Sequence, residues 1–182
     1  IQAIQTLWAG PWMLNITGYT PLQSATGLFW INITMLISFL IWGYVLPKIS
    51  EYGISSIKLI KLGLPISYFS LFLIIYFGNN AGAFLFTLYI MTSIVISLTQ
   101  PAIALNFSKN LAGKSLTSFN VFLFSGTFFI QWGIGLVIDI CSNKGFDIVS
   151  SYRISFSVFL ILCVLSYICL LYTSDAADER HC

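Results

Sequence analysis

Six predominantly apolar stretches, separated by short turn-forming breaks, constrain this chain more than any other feature of its sequence. A helix needs about 20 mostly apolar residues to cross the hydrocarbon core of a bilayer. Residues 1–16, 27–46, 62–78, 81–105, 115–138 and 154–168 approach or meet that length. The breaks TGYTP (17–21), SEYG (50–53), GNN (78–80) and SNKG (142–145) carry glycine, proline and asparagine, which punctuate helices. Pro65 is expected in the first turn of the third span, where proline is tolerated. Barrel strands would be shorter and would alternate in polarity, and these runs do neither. Composition agrees: 58% of the residues are hydrophobic and 8% charged, against about 25% charged in a soluble domain. A water-soluble fold of this size could not hide so much apolar surface. The expected fold class is therefore all-α, a polytopic bundle of six transmembrane helices with the lipid bilayer as its partner. The formal charge of +2 is too small and too scattered for a nucleic-acid partner.

The ends read differently from the middle. Residues 169–179, CLLYTSDAADE, resemble the translation of a transposase sequencing adapter; the alternative is a short acidic tail leaving the membrane. On the first reading residues 169–182 lie outside the fold. They carry Asp175, Asp178, Glu179, Arg180, His181, Cys169 and Cys182. The chain also begins at Ile1 inside an apolar run, so both ends are expected to be cut. Cys141 and Cys163 then give no disulfide framework and no ligand spacing, and neither a metal nor a cofactor is expected.

Basic residues set the expected orientation. Lys48, Lys58 and Lys61 flank the second-to-third connection, and Lys109 and Lys114 the fourth-to-fifth. The first-to-second and third-to-fourth connections carry no charge, and the fifth-to-sixth has Lys144 and Arg153. The positive-inside rule then makes the five-lysine side cytoplasmic. Lys58 and Lys61 are expected to reach the interface from an amphipathic lead-in helix. Asp139 is expected to pair with Lys144, and Trp132 to sit in the interfacial aromatic belt.

Three stretches resemble the C-terminal half of a bacterial major facilitator superfamily (MFS) transporter. LWAGPWMLNITGY (7–19) is similar to the end of the first helix of that half. In WGYVLPKISEYG (42–53), Gly43 and Gly53 fit the family's cytoplasmic loop, with Pro47 and Lys48 standing where the family has Asp-Arg. LAGKSLTSFNVFLFSGTFFIQWGIG (111–135) places Asn120, Gly126, Gln131, Trp132 and Gly135 at subgroup positions. The resemblance spans residues 1–168. It implies a fragment of a secondary active transporter in the bacterial inner membrane, moving a small solute by alternating access. The partners it implies are that solute and a missing N-terminal six-helix half, with the substrate site at midplane between the halves.

Polar residues inside apolar spans need a partner or water, and they are the site candidates. Gln2, Gln5, Trp12 and Asn15 step by three, seven and three, which places them on one face of a regular helix. Tyr89, Ser93, Ser97 and Gln100 step by four, four and three, just before Pro101. Asn120, Phe124, Thr127 and Gln131 step by four, three and four. Gly126, Gly133 and Gly135 lie off that last stripe, where a neighbouring helix is expected to approach. Each stripe either lines a cavity or ties helices together by hydrogen bonds. Asn32 and Thr34 lie on different faces of the second span.

Residues 1–168 hold no convergent acid, base, nucleophile or metal ligands, so the chain is not read as an enzyme. A membrane-embedded enzyme and a complete six-helix structural or interaction subunit remain the alternatives to a carrier. The orientation is testable in a protein with its native cysteines replaced. Asn79→Cys should react with an impermeant thiol reagent added to intact cells and Asn110→Cys should not; the reverse pattern would invert the topology.

Overall fold

A computed structural model describes residues 2–179. Helix accounts for 90% of it and no strand occurs among the described residues. A backbone placed in hydrocarbon must satisfy its own hydrogen bonds, and a helix does so within one segment. The elements are a π-helical turn (Ile4–Trp8), α1 (Ala9–Asn15), α2 (Pro21–Glu51), α3 (Ser56–Phe77), α4 (Ala83–Ser93), a 3-10 stretch (Ile94–Leu98), α5 (Thr99–Asn106), α6 (Lys109–Asn143) and α7 (Ile148–Glu179). Five segments are long and apolar enough to cross a membrane: Pro21–Glu51, Ser56–Asn80, Ala83–Asn106, Asn110–Asn143 and Ile148–Thr173. The chain thus has the helices of a multi-pass membrane protein.

Several boundaries differ from those read in the sequence. The first segment is helical from residue 2 to Asn15, about 21 Å at 1.5 Å per residue. That is short of a full crossing. Lys58 and Lys61 belong to the first turns of α3, with no separate lead-in helix, so Pro65 lies in the helix interior. Its missing N–H would have bonded to the carbonyl of Lys61; the Tyr167 hydroxyl donates to that carbonyl instead, at 2.8 Å. The fourth crossing is helical throughout but not uniformly α: the 3-10 stretch joins α4 to α5. Lys109 and Lys114 lie inside α6, and Arg153 inside α7. Past residue 168, α7 continues to Glu179, and Leu170 packs against the core. Asp139 and Lys144 form no ion pair.

Helix starts reflect their local chemistry. Thr20 caps α2 with a capping box: its hydroxyl accepts from the Gln23 amide, and its own amide donates to the Gln23 side chain. Pro21 comes next, at the first helical position, where its fixed φ suits the helix. Ser55 caps α3 and the Asp147 carboxylate accepts from Ser150 at the start of α7. Bonds from the Ser150 side chain and amide hold the Asp147 carboxyl below its ordinary range. The chain's positive-φ residues, Gly18, Gly53, Gly78 and Gly145, all fall in the breaks.

The packing has an internal pattern. With the π turn and α1 counted as the first crossing and α4 to α5 as the fourth, first–second contact matches fourth–fifth, and second–fourth matches first–fifth. Third–fourth likewise matches first–sixth, and third–sixth matches itself. The counterparts differ in extent, however: second–fourth and third–fourth contact is far more extensive than first–fifth and first–sixth, and α6 on α7 has no counterpart of similar extent. Exchanging the first three crossings for the last three therefore pairs neighbours of very unequal extent. Three is odd, so the two triplets run in opposite directions.

Two cores hold the bundle. The larger surrounds Trp12, which has no exposed surface and packs on Phe86, Tyr152 and Phe156 with ring centroids 6.1, 6.1 and 4.7 Å away. The smaller joins Ile60, Leu64, Val95 and Leu98, near the lysine-bearing end. Close approach there depends on Gly63: a Cβ at that position would lie 2.8 Å from Val95 Cγ1. Val95 is buried and stiff about χ1. Gly63→Ala should therefore cost about 1–3 kcal/mol of stability in detergent, as overpacking does. Gly43→Ala, with no atom within 4 Å of its would-be Cβ, should be neutral or slightly stabilising. Equal melting temperatures for the two variants would remove the close-packing assignment.

Candidate functional site

Two local irregularities shape the site, and each lies next to a proline. Pro11 cannot donate to the carbonyl of Leu7 and its ring crowds that carbonyl; the preceding turn is widened to π geometry over Ile4–Trp8. Pro101 likewise leaves the Ser97 carbonyl without its α-helical donor, and the 3-10 stretch Ile94–Leu98 lies directly before it. The Thr99 amide turns back to the Ile96 and Ser97 carbonyls, and the Ser97 hydroxyl donates to the Ile94 carbonyl. Irregular backbone at membrane depth is tolerated where protein or water covers it.

Between these segments lies a cavity of about 600 Å³. Gln2, Gln5 and Thr6 line it from the first crossing, and Asn32, Met35 and Phe39 from α2. Ser93, Ser97 and Gln100 come from the fourth crossing, and Phe119, Phe122, Gly126 and Thr127 from α6. One wall carries an amide network. The Gln5 side-chain amide donates to Asn32 Oδ1 at 3.3 Å and to Met35 Sδ at 3.0 Å, while Asn32 Nδ2 donates to the Leu28 carbonyl at 2.7 Å. Gln5 is only 8% exposed. The Ser93 hydroxyl is fully buried and makes no hydrogen bond of good geometry, its polar neighbour being the Tyr89 hydroxyl.

The structure distributes the sequence candidates unevenly. Gln2, Gln5, Ser93, Ser97, Gln100 and Thr127 meet at the cavity. Trp12 and Tyr89 lie in the core instead, and Asn15 is near the surface, donating to the Tyr152 hydroxyl at 3.4 Å. The expected shared face of Gln2, Gln5, Trp12 and Asn15 is lost because a π turn takes about one extra residue. That rotates the remainder of the segment by on the order of 100°. On α6 the lining stripe runs through Phe119, Phe122, Gly126 and Ile130, one position off the expected one, with Thr127 at its edge. Asn120 does not line the cavity, and Phe124 is exposed. Gln131 donates to the Thr6 hydroxyl at 2.8 Å and accepts the Trp8 indole on its carbonyl at 3.2 Å. It lines a shallower crevice with Trp8, Phe128, Trp132 and Asp139. Of Gly126, Gly133 and Gly135, only Gly135 admits a neighbour, the Trp8 ring, at 3.3 Å.

Asn32, Met35 and Phe39 were not singled out as a stripe from the sequence, although their spacing of three and four is that of one helix face. Thr6 carried no signal, since its tie to Gln131 joins segments 125 residues apart. No family model matches this chain, and no curated protein or solved structure matches it either.

The geometry separates tying residues from lining ones. A double-mutant cycle on Thr6→Ala and Gln131→Ala should give a coupling near ~0.6 kcal/mol, typical of interhelical bonds in membranes. Gln100→Ala, with no protein partner to lose, should leave unfolding within about 0.5 kcal/mol of the parent. Zero coupling in the cycle would remove the assigned tie.

Proposed function

We propose that this chain is the carrier half of an MFS-like secondary transporter, moving a small solute through the cavity by alternating access. The observation that carries this reading is the cavity itself. Four crossings of an apolar bundle converge on it with amides and hydroxyls, groups that are costly in lipid unless they serve a partner. The change of the fourth crossing to 3-10 geometry beside the cavity adds support, since irregular backbone at membrane depth is tolerated where it lines a cavity. On this reading a second six-helix half completes the pathway, and the location is the bacterial inner membrane.

A test independent of any solute uses the full-length protein in sealed proteoliposomes, with native cysteines replaced. Ser97→Cys and Thr127→Cys should react with a water-soluble thiol reagent from either face of the membrane. Leu40→Cys and Phe84→Cys, on highly exposed apolar surface, should not react. Labelling from a single face only would leave a blind pocket and remove alternating access.

A further inference from the structure

We infer that the cavity selects an uncharged, amphipathic solute bearing an aromatic ring and a polar edge that both donates and accepts hydrogen bonds. This rests on the carrier reading for the role of the site, and deepens it by naming the class of solute. Three observations carry it.

The first is electrical. Among the described residues, no side chain lining the cavity is ionisable. A charged solute would find no counter-charge in this half, and desolvating an ion without one is strongly unfavourable. The second is the hydrogen-bonding capacity left open. Gln5 commits its amide N–H groups to Asn32 and Met35, which leaves its oxygen as an acceptor in a nearly buried position. The buried Ser93 hydroxyl makes no hydrogen bond of good geometry, and Gln100 supplies a whole amide with no protein partner. A solute edge holding both a donor and an acceptor satisfies this set, whereas a hydrocarbon would leave Ser93 and Gln5 unpaired. The third is the remaining wall. Phe39, Phe119 and Phe122 with Met35 form its apolar part, suited to a ring by aromatic and sulfur contacts.

Three probes share one indole ring and differ in charge: N-acetyl-tryptophanamide (neutral), N-acetyl-tryptophan (anionic) and tryptophanamide (cationic). Binding is measured by calorimetry on the full-length protein in phosphatidylcholine nanodiscs. The neutral probe should bind at least tenfold more tightly than either charged one. Ser93→Ala should weaken it several-fold without lowering the melting temperature, because no protein bond of good geometry is lost. Gln100→Glu, at an exposed position, should shift preference toward tryptophanamide by tenfold or more. Equal or tighter binding of a charged probe by the parent protein would overturn the inference, as would no binding of the neutral one. Either result leaves the two-faced labelling of Ser97→Cys and Thr127→Cys intact if the carrier reading holds. Loss of that labelling alone would sink the carrier reading while leaving the selectivity standing.

Discussion

Every backbone amide in a bilayer must find its partner within the protein, and the irregular parts of this bundle are where that demand is hardest to meet. Pro11, Pro65 and Pro101 each strand a carbonyl one turn earlier in a helix. At Pro65 the remedy is a side chain, Tyr167, reaching across from α7 to the Lys61 carbonyl. Beside Pro11 and Pro101 the helix changes pitch instead, to a wider turn and a tighter one. Those two changes border the same cavity, so the bends that satisfy the backbone also set Gln5, Ser93 and Ser97 around one space.

Serine and threonine serve a related purpose. Ser67, Ser70, Thr87, Thr92 and Thr127 donate to carbonyls three or four residues earlier on their own helices. Such bonds let small hydroxyls lie in apolar surroundings; Thr92 also lies within 3.3 Å of the Ser70 hydroxyl, across from α4 to α3. Ser155 is different: buried, it donates to the Ile134 carbonyl on α6 at 2.9 Å. That bond ties the closely packed α6–α7 pair together.

What the sequence made legible was whatever depends on local pattern. Length and apolarity gave the five long crossings, and the turn chemistry of Gly53, Gly78 and Gly145 located their ends within a few residues. Helix ends ran longer than the apolar runs because Lys109, Lys114 and Arg153 continue helices past the hydrocarbon-length core. The site was legible only in part. Equal-pitch counting works for Gln2 with Gln5, and for Ser93 with Ser97, but fails across the π turn, where Trp12 rotates into the core. It also fails on α6, where several polar stripes fit the same spacing and only tertiary contact decides among them. The Gln131 side chain then ties α6 to Thr6 rather than facing the cavity. Trp132 is exposed beside the outer crevice, a placement compatible with a lipid boundary.

The two cores are unequal, and this has a mechanical consequence. The larger, built on Trp12, Phe86, Tyr152 and Phe156, occupies the end whose first-to-second and third-to-fourth connections carry no charge. The smaller, four buried aliphatic side chains around Gly63, closes the lysine-bearing end. Separating helices at the larger end would expose clustered rings with large apolar areas; separating them at the smaller end would expose far less. Thermal motion in this bundle should therefore resemble that of a clothes-peg with a stiff spring at one end. Displacements should grow toward the lysines, where the 3-10 stretch supplies Val95 and Leu98, two of the four side chains that hold the jaws together.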